Sequence, residues 1–108
     1  MEEVRAVSKY IRMSSRKLRR VADLIRGKNA MHTLTVLDFM AYSAAKVVKD
    51  ALRSAISNAE MKSMDIGSLS IVRIFVDEGV TLKRIRPRAQ GRAYPRKKRT
   101  STVTVVLG

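Results

Sequence analysis

The amino-acid sequence predicts a single α+β domain from which a long basic β-hairpin projects. Three observations lead to this prediction. Apolar residues recur at helical spacing through the middle of the chain, strand-forming residues lie near both ends, and the stretch before the last strand is strongly cationic. With 108 residues, the chain fits one small domain and leaves no room for two. A core of this size gives only marginal stability on its own.

The composition is strongly basic, with 23 Lys and Arg against 9 Asp and Glu, a net charge of +14 and a pI near 11.2. Such a chain repels itself and typically binds a polyanion, either nucleic acid or anionic lipid. No apolar run approaches the roughly 18 residues needed to span a bilayer, and we expect neither a secretory signal nor a transit peptide. Since there is no cysteine and one histidine, His32, we also expect no disulfide, no metal site and no cofactor.

The first part of the chain predicts a strand followed by a helix. Residues 4–12 are rich in β-branched and aromatic types, as strands are. Ser14 or Ser15 can cap the helix, because a serine oxygen accepts from the unpaired amides of a first turn, and the helix ends near Gly27. Its apolar face is formed by Leu18, Val21, Ala22 and Ile25, and its opposite face by the cations Arg16, Lys17, Arg19, Arg20 and Arg26.

Two more helices are predicted in the middle of the chain, followed by β structure. Residues 29–40 give a short helix with Asn29 as its cap. From residue 41 to about Met61, apolar residues keep helical spacing, and the many alanines predict close packing against a sheet or another helix. Residues 69–76 predict a strand, and residues 102–107 alternate polar and apolar as a half-buried strand does.

The stretch from Val80 to Arg99 carries nine cations and no acid. Because burying one unpaired ion costs several kcal/mol, this stretch cannot lie inside the domain. Pro87 and Gly91 bracket a plausible turn, so the flanking strands extend into a two-stranded arm, residues 77–100 of the single domain 1–108. At about 3.3 Å per residue, ten residues a side reach roughly 30 Å, against a radius of gyration of about 13 Å for a compact domain this size.

A solvated basic loop is the simplest alternative for such a stretch. It is disfavoured because the stretch lies between two strands and because the first helix carries a second cationic face. Two separated basic surfaces on one small domain favour a partner that wraps around it, which folded RNA does more readily than straight DNA. Arginine outnumbers lysine in the stretch and suits forked contacts to phosphate. Among three scattered tyrosines, Tyr94 is a better stacking candidate than Tyr10 or Tyr42.

Catalytic chemistry finds little support in the sequence. Asp77 and Glu78 are adjacent, so on a strand they would face opposite sides, and a strand-end turn with Gly79 is the favoured interpretation. His32 is interpreted as a surface or half-buried helix residue. The sequence contains no glycine-rich phosphate loop and no serine in a nucleophile-elbow setting. We therefore predict that the protein is not an enzyme.

Motifs along nearly the whole chain closely resemble those of bacterial-type large-subunit ribosomal protein twenty-two, of the universal ribosomal protein L twenty-two family. In the first helix and the long helix the resemblance rests on Ser15-Arg16-Lys17, Val21-Ala22-Asp23-Leu24-Ile25-Arg26-Gly27 and Ala55-Ile56-Ser57-Asn58-Ala59-Glu60. In the arm it rests on Val76-Asp77-Glu78-Gly79, Leu82-Lys83-Arg84, Arg86-Pro87-Arg88-Ala89-Gln90-Gly91-Arg92-Ala93-Tyr94 and Lys98-Arg99-Thr100-Ser101.

This resemblance implies three helices packed on a small three-stranded antiparallel sheet, with the hairpin protruding from it. It also implies a structural constituent of the large ribosomal subunit that binds large-subunit (23S-type) rRNA, aids subunit assembly and works in translation. Neighbouring ribosomal proteins are the other expected partners, together with the nascent polypeptide at the hairpin tip. The expected location is cytoplasmic, in the ribosome, with an organellar ribosome left open; neither membrane association nor a homo-oligomer is expected.

Residues for these contacts follow from the resemblance and from the basic surfaces. The hairpin tip, expected to line the peptide exit tunnel, is Arg86, Pro87, Arg88, Ala89, Gln90, Gly91 and Arg92. The residues predicted to bind rRNA are Lys9, Arg12, Arg16, Lys17, Arg19, Arg20, Lys83, Arg84, Arg86, Arg88, Arg92, Tyr94, Arg96, Lys97, Lys98 and Arg99.

Some positions depart from the family's usual pattern. The family usually has proline where Val80 and Ser15 stand here, and histidine where Thr102 stands. Pro95 is unexpected in the returning strand, because proline cannot donate to the ladder. We therefore predict a bulge or an edge position at Pro95.

Two other classes of function remain open at this point. A DNA-binding architectural or regulatory protein would need a recognition helix or a dimer, and the first helix with its basic face is the only candidate. Equal affinity for duplex DNA and rRNA would favour this class. A cationic membrane-surface protein could use the same amphipathic helix, although the arm lacks aromatic anchors. Co-sedimentation with liposomes at physiological salt tests that alternative.

Overall fold

The sheet consists of antiparallel strands whose order differs from their order along the chain. The computed structural model describes residues 3–87 and 93–108, and within residues 79–99 it describes the strand backbone but not the side chains. The strands are β1 (Val4–Ile11), β2 (Ile71–Pro87) and β3 (Ala93–Leu107). Their order is β1-β3-β2, so the C-terminal strand lies in the middle of the sheet.

The alternating pattern at the end of the chain explains this central position. Val103, Val105 and Leu107 have no exposed surface and belong to the hydrophobic core, so they lie on the face of the sheet that the helices cover. The intervening Thr104 and Val106 lie on the other face and are still only 6% exposed. Side chains of the strands on either side shield a middle strand on both faces, and the apolar composition of β3 suits that burial.

Three α-helices pack on one side of this sheet within the described residues, which confirms the predicted α+β fold. They are α1 (Ser15–Ile25), α2 (Ala30–Asp38) and α3 (Ser43–Met61), and a short 3-10 helix at Ile66–Ser68 precedes β2. The predicted alanine stripe lies on the buried side of α3, where Ala45, Ala51, Ala55 and Ala59 have no exposed surface. Because alanine has a short side chain, α3 can lie close to the sheet and to α1.

The helix ends show one predicted cap and one that differs from the prediction. The Asn29 side chain accepts a hydrogen bond from the His32 amide at 3.0 Å, as expected for an N-cap. Ser14 occupies the N-cap position of α1, but its side chain makes no capping hydrogen bond. After α1, Gly27 has a φ of +81°, a conformation in which only glycine avoids a steric cost. This turn directs the Gly27 amide to the Ile71 carbonyl at 2.9 Å.

The outer edge of β2 is bound by arginines of α1. Arg19 donates from Nε and Nη2 to the Val76 carbonyl at 3.2 and 2.9 Å. Arg26 donates from Nη2 to the Ile74 carbonyl at 2.8 Å. An edge strand otherwise presents unpaired carbonyls that can pair with another chain. The two arginines therefore fasten α1 to the sheet and cover part of its free edge.

Residues 77–79 do not form the turn that the sequence predicted. They lie inside β2, where Glu78 pairs with Ser101 and Thr81 pairs with Arg99. From the first pair to the second, β2 advances by three residues and β3 by two. The extra residue in β2 is the mark of a β-bulge. A bulge bends and twists a strand without ending it, so β2 continues from the body into the arm.

Pro95 lies in β3 opposite Ile85, and the register is continuous on both sides of this pair. The bulge offered as one alternative for Pro95 is therefore absent, and the edge position is confirmed. The pairing of β1 with β3 ends at Ile11 and Ser101, so the arm is two-stranded and β3 has a free side there. A proline is tolerated on such a side because its missing amide has no strand to bind.

Replacing Arg19 with alanine should destabilise the free protein by about 1 to 2 kcal/mol, because the Val76 carbonyl loses a charged donor. Urea denaturation of the RNA-free protein measures this change. Arg16→Ala is the matched control, since Arg16 is an exposed cation on the same helix and its loss should cost less than about 0.5 kcal/mol. Equal effects of the two substitutions would contradict the structural role of Arg19.

Replacing Ala55 with leucine should destabilise the fold by about 1 to 3 kcal/mol, because the added atoms have no space between α3 and the sheet. Ser54→Leu adds the same side chain at the neighbouring exposed position and serves as the control. Thermal unfolding of both variants measures the difference. A midpoint for Ala55→Leu at or above that of Ser54→Leu would show that α3 does not pack as closely as described.

Candidate nucleic-acid interface

The predicted arm is present as a two-stranded ribbon that continues the body's own strands. β2 and β3 pair from Ile71↔Leu107 in the body to Pro87↔Ala93 at the far end. The principal extents of 62 × 26 × 17 Å show how far the molecule is drawn out along one axis. Because the same strands form the core and the arm, the sheet sets the direction in which the arm leaves the body.

Cationic residues occupy facing positions along this ribbon. Lys83 is paired with Lys97 and Arg84 with Arg96. Like charges directly opposite each other on paired strands are destabilising, and an isolated charged hairpin is marginal in water. Successive pairs alternate between the two faces of a ribbon, so cationic positions occur on both of its faces. Such a ribbon gains stability when a polyanion supplies the opposite charge.

The structure places the predicted arm residues only in part. Their backbone positions are described where they lie in β2 or β3, whereas their side chains are outside the described residues; this holds for Lys83, Arg84, Arg86, Tyr94, Arg96, Lys97, Lys98 and Arg99. Of the predicted tip, Pro87 ends β2, and Arg88, Ala89, Gln90, Gly91 and Arg92 lie outside the described residues. The predicted roles of these side chains remain predictions.

A second cationic surface lies on α1, as the sequence predicted. Arg16, Lys17 and Arg20 are exposed, while the apolar side of the helix is buried in the core. The first turn of α1 contains no acidic residue, so nothing there offsets the positive end of the helix dipole. Arg19, on the same helix, is also exposed but is partly engaged by the Val76 carbonyl.

Two further predicted cations lie at the end of β1. Lys9 and Arg12 are both exposed. Lys9 lies within the irregular step between Ser8 and Ile11 where the register with β3 shifts, and Arg12 directly follows that step. Between them Tyr10 adopts a φ of +60° and is 71% exposed. The cations of β1 and α1 thus belong to neighbouring segments of the body, separated by only a short connection.

Three acidic side chains in the described part of the body form ion pairs with neighbouring cations. Asp23 binds Arg26 at 2.8 Å, Glu3 binds Arg73 at 3.3 Å, and Asp38 binds Lys49. Exposed pairs of this kind contribute little to stability. Within α1 the single acid, Asp23, lies in the second half of the helix and is paired with Arg26, so the cations of the first turn have no acid beside them in that turn.

The residues considered for catalysis do not come together in the described part of the chain. His32 is exposed on α2, and Asp77 and Glu78 are exposed on β2. Across the residues that the structure describes, no group of three His, Asp or Glu side chains could hold a metal ion. None of the described helices is long and apolar enough to cross a membrane.

The sequence offered Tyr42 as one of three possible stacking residues but did not indicate which surface it would join. Tyr42 lies just before α3, yet it lines the same groove as Lys17 and Arg20 of α1. The three residues are brought together by the packing of α3 on α1, and no spacing along the chain indicates that contact. By contrast, the side chain of Tyr94, which the sequence favoured for stacking, lies outside the described residues.

Comparison with known proteins gives a consistent result along the whole chain. The sequence model of the family described as ribosomal protein L22p/L17e matches residues 6–108. A protein of Desulfitobacterium hafniense named large ribosomal subunit protein uL22 is 49% identical over 108 residues, covering 99% of this chain and 95% of its own length. Proteins of the same name are 49% identical in a Synechococcus species, with coverages of 97% and 86%, and 50% identical in Desulfosudis oleivorans, with coverages of 99% and 94%.

A ribosomal-protein family consists of structural components of the ribosome. The match therefore confirms the predictions that the chain is not an enzyme and that it functions in the ribosome. On the extent of the family match and the level of identity to these relatives, the chain belongs to the ribosomal protein L22p/L17e family.

Proposed function

We propose that this chain binds large-subunit rRNA through two basic surfaces, the arm (residues 77–100) and the cationic face of α1, and that it thereby helps the subunit assemble. The observation that carries the proposal is the continuity of β2 and β3 from the buried sheet into the arm. Because of this continuity, one small body holds both surfaces in a fixed relation to each other. Folded RNA can contact both at once, whereas a straight duplex offers a single line of phosphates.

The binding free energy would come mainly from charge neutralisation. Each lysine or arginine that meets a phosphate releases a condensed counterion, and affinity then falls steeply as salt rises. Contacts to phosphate position a protein on nucleic acid without reading its sequence. Recognition would therefore depend on the shape of the RNA and on the angle at which the arm leaves the body, with contacts to bases contributing less.

The proposal extends to the tip of the arm and to its neighbours. The relatives are named as proteins of the large ribosomal subunit, which supports neighbouring ribosomal proteins and 23S-type rRNA as partners. The family resemblance supports a tip at residues 86–92 that lines the exit tunnel and meets the nascent polypeptide. The length of the paired strands, which reach Pro87 and Ala93, is compatible with a tip that lies far from the body.

Neutralising four arm cations should weaken rRNA binding and reduce its salt dependence. The variant carries Lys83→Gln, Arg84→Gln, Arg96→Gln and Lys97→Gln. If all four residues meet phosphates, the slope of log K against log salt should become shallower by about 3. Filter binding of large-subunit rRNA between about 50 and 200 mM salt measures this slope, and duplex DNA is titrated in parallel.

A control variant with the same net charge separates position from total charge. It carries glutamine at four exposed cations elsewhere in the body, namely Arg5, Lys28, Arg53 and Lys62. The proposal requires a clearly smaller change in slope for this control than for the arm variant. Duplex DNA binding as tight as rRNA binding, together with no special effect of the arm, would contradict the proposal and favour an architectural DNA-binding protein.

A further inference from the structure

A groove of about 260 Å³ lies between α1 and the start of α3. Its walls combine two cations from one helix with an aromatic ring from the other, Lys17 and Arg20 of α1 and Tyr42 before α3. Ala41, Ser43 and Ala44 also line it, and their small side chains leave the space beside the ring open. Neither the family match nor the names of the relatives assigns any role to this groove.

The local structure explains why the ring lies at the surface. Val21 and Ala44 are 1% and 5% exposed, so α1 and α3 are packed together at the bottom of the groove. Tyr42 occupies the N-cap position of α3 with extended backbone angles of −101° and 134°, which place it outside the helical stripe that faces the core. Tyr42 is therefore 54% exposed.

The charges around the ring are positive. Tyr42 also borders a second depression, lined by Lys46 and Lys49 of α3. The acid in that depression, Asp38, is paired with Lys49, so it offsets little of the positive potential next to the ring. The ring thus has Lys17 and Arg20 on one side and Lys46 on the other.

We propose that this groove binds one unpaired RNA nucleotide, with the Tyr42 ring stacked on the base and with Lys17 and Arg20 bound to the flanking phosphates. An aromatic ring among cations is the combination that single-stranded nucleic acid recognises. The bases of a duplex are already stacked on each other, so a loop, a bulge or an end of the RNA is required. The inference rests on the proposed function, because it assigns a specific contact within the same RNA-binding role.

Intrinsic fluorescence can report on this ring alone. The chain has three tyrosines and no tryptophan, so a Tyr10→Phe/Tyr94→Phe variant leaves Tyr42 as its sole tyrosine. Titration with a single-stranded oligouridylate or oligoadenylate should quench the emission in a saturable manner, because stacking brings a base against the ring. A duplex RNA of the same length, titrated at equal nucleotide concentration, should quench it much less.

Affinity measurements with matched variants test the same contact without fluorescence. Tyr42→Ala should weaken binding of the single-stranded oligonucleotide about tenfold, with little change in the salt slope, whereas Tyr42→Phe should bind as the wild type does. Lys17→Gln should instead make the slope shallower by about 0.7. Phe39→Ala is the aromatic control, because Phe39 is 85% exposed and does not line the groove.

The outcomes separate this inference from the proposed function. Wild-type binding to rRNA with no quenching of Tyr42 and no loss on Tyr42→Ala overturns the groove and leaves the proposed function in place. Equal losses for Tyr42→Ala and Phe39→Ala also overturn it. Failure of the wild type to prefer rRNA in the salt series overturns the proposed function itself. Quenching by single strands, together with a tenfold loss that Tyr42→Phe does not show, supports the stacked nucleotide.

Discussion

The position of β3 between the other two strands is the constraint on which the rest of the structure depends. In the described register β1 begins opposite the end of β3, with Val4 facing Leu107, and β2 begins opposite the same residue. The sheet therefore pairs segments that are far apart in the sequence, and neither outer strand has a partner without β3. Pairing over such a distance costs loop-closure entropy before it gains contacts. Body and arm thus depend on the same strand, and the arm's direction is tied to the pairing that closes the core.

Arginines of α1 and of its C-cap hold this helix to the sheet, while other cations of the same helix are exposed. Arg19 and Arg26 donate to carbonyls of β2, while on the opposite edge of the sheet the Asn58 amide donates to the Arg5 carbonyl at 3.0 Å. These side chains thereby cover part of each free edge, which disfavours pairing with a second chain. A guanidinium carries more donors than these bonds use, so Arg19 could still contact a phosphate. A lysine at this position would have no planar fork with which to reach the carbonyl and the phosphate together.

The sequence predicted those features that depend on dense local patterns, and it missed those that depend on packing. The α3 helix was predicted from apolar residues that keep helical spacing over several turns, and the arm from a run of cations that contains no acid. Residues 77–79 were misinterpreted as a turn, because Asp-Glu-Gly suits a turn and a bulge equally well and the pairing with β3 decides between them. The hydrogen bonds from Arg19 to β2 were not predicted, because the acceptor is the backbone carbonyl of Val76. Every residue has such a carbonyl, so the sequence does not indicate which one is bound. The placement of Tyr42 beside α1 depends on how α3 packs against α1, and no spacing along the chain specifies that contact.

The rigid connection between the two basic surfaces has an energetic consequence for the proposed function. When one surface is bound, the other is held near the same RNA at a high effective concentration, so the second contact costs little additional entropy. This advantage exists only for an RNA whose fold presents phosphates to both surfaces at once. An RNA that is not yet folded, or a straight duplex, engages one surface and loses the gain. Selectivity for folded rRNA can therefore arise without any base-specific contact in the arm. An unpaired nucleotide stacked on Tyr42 would add to that selectivity, because the groove adjoins the cationic face of α1 and only an RNA already bound to that face could place a nucleotide there.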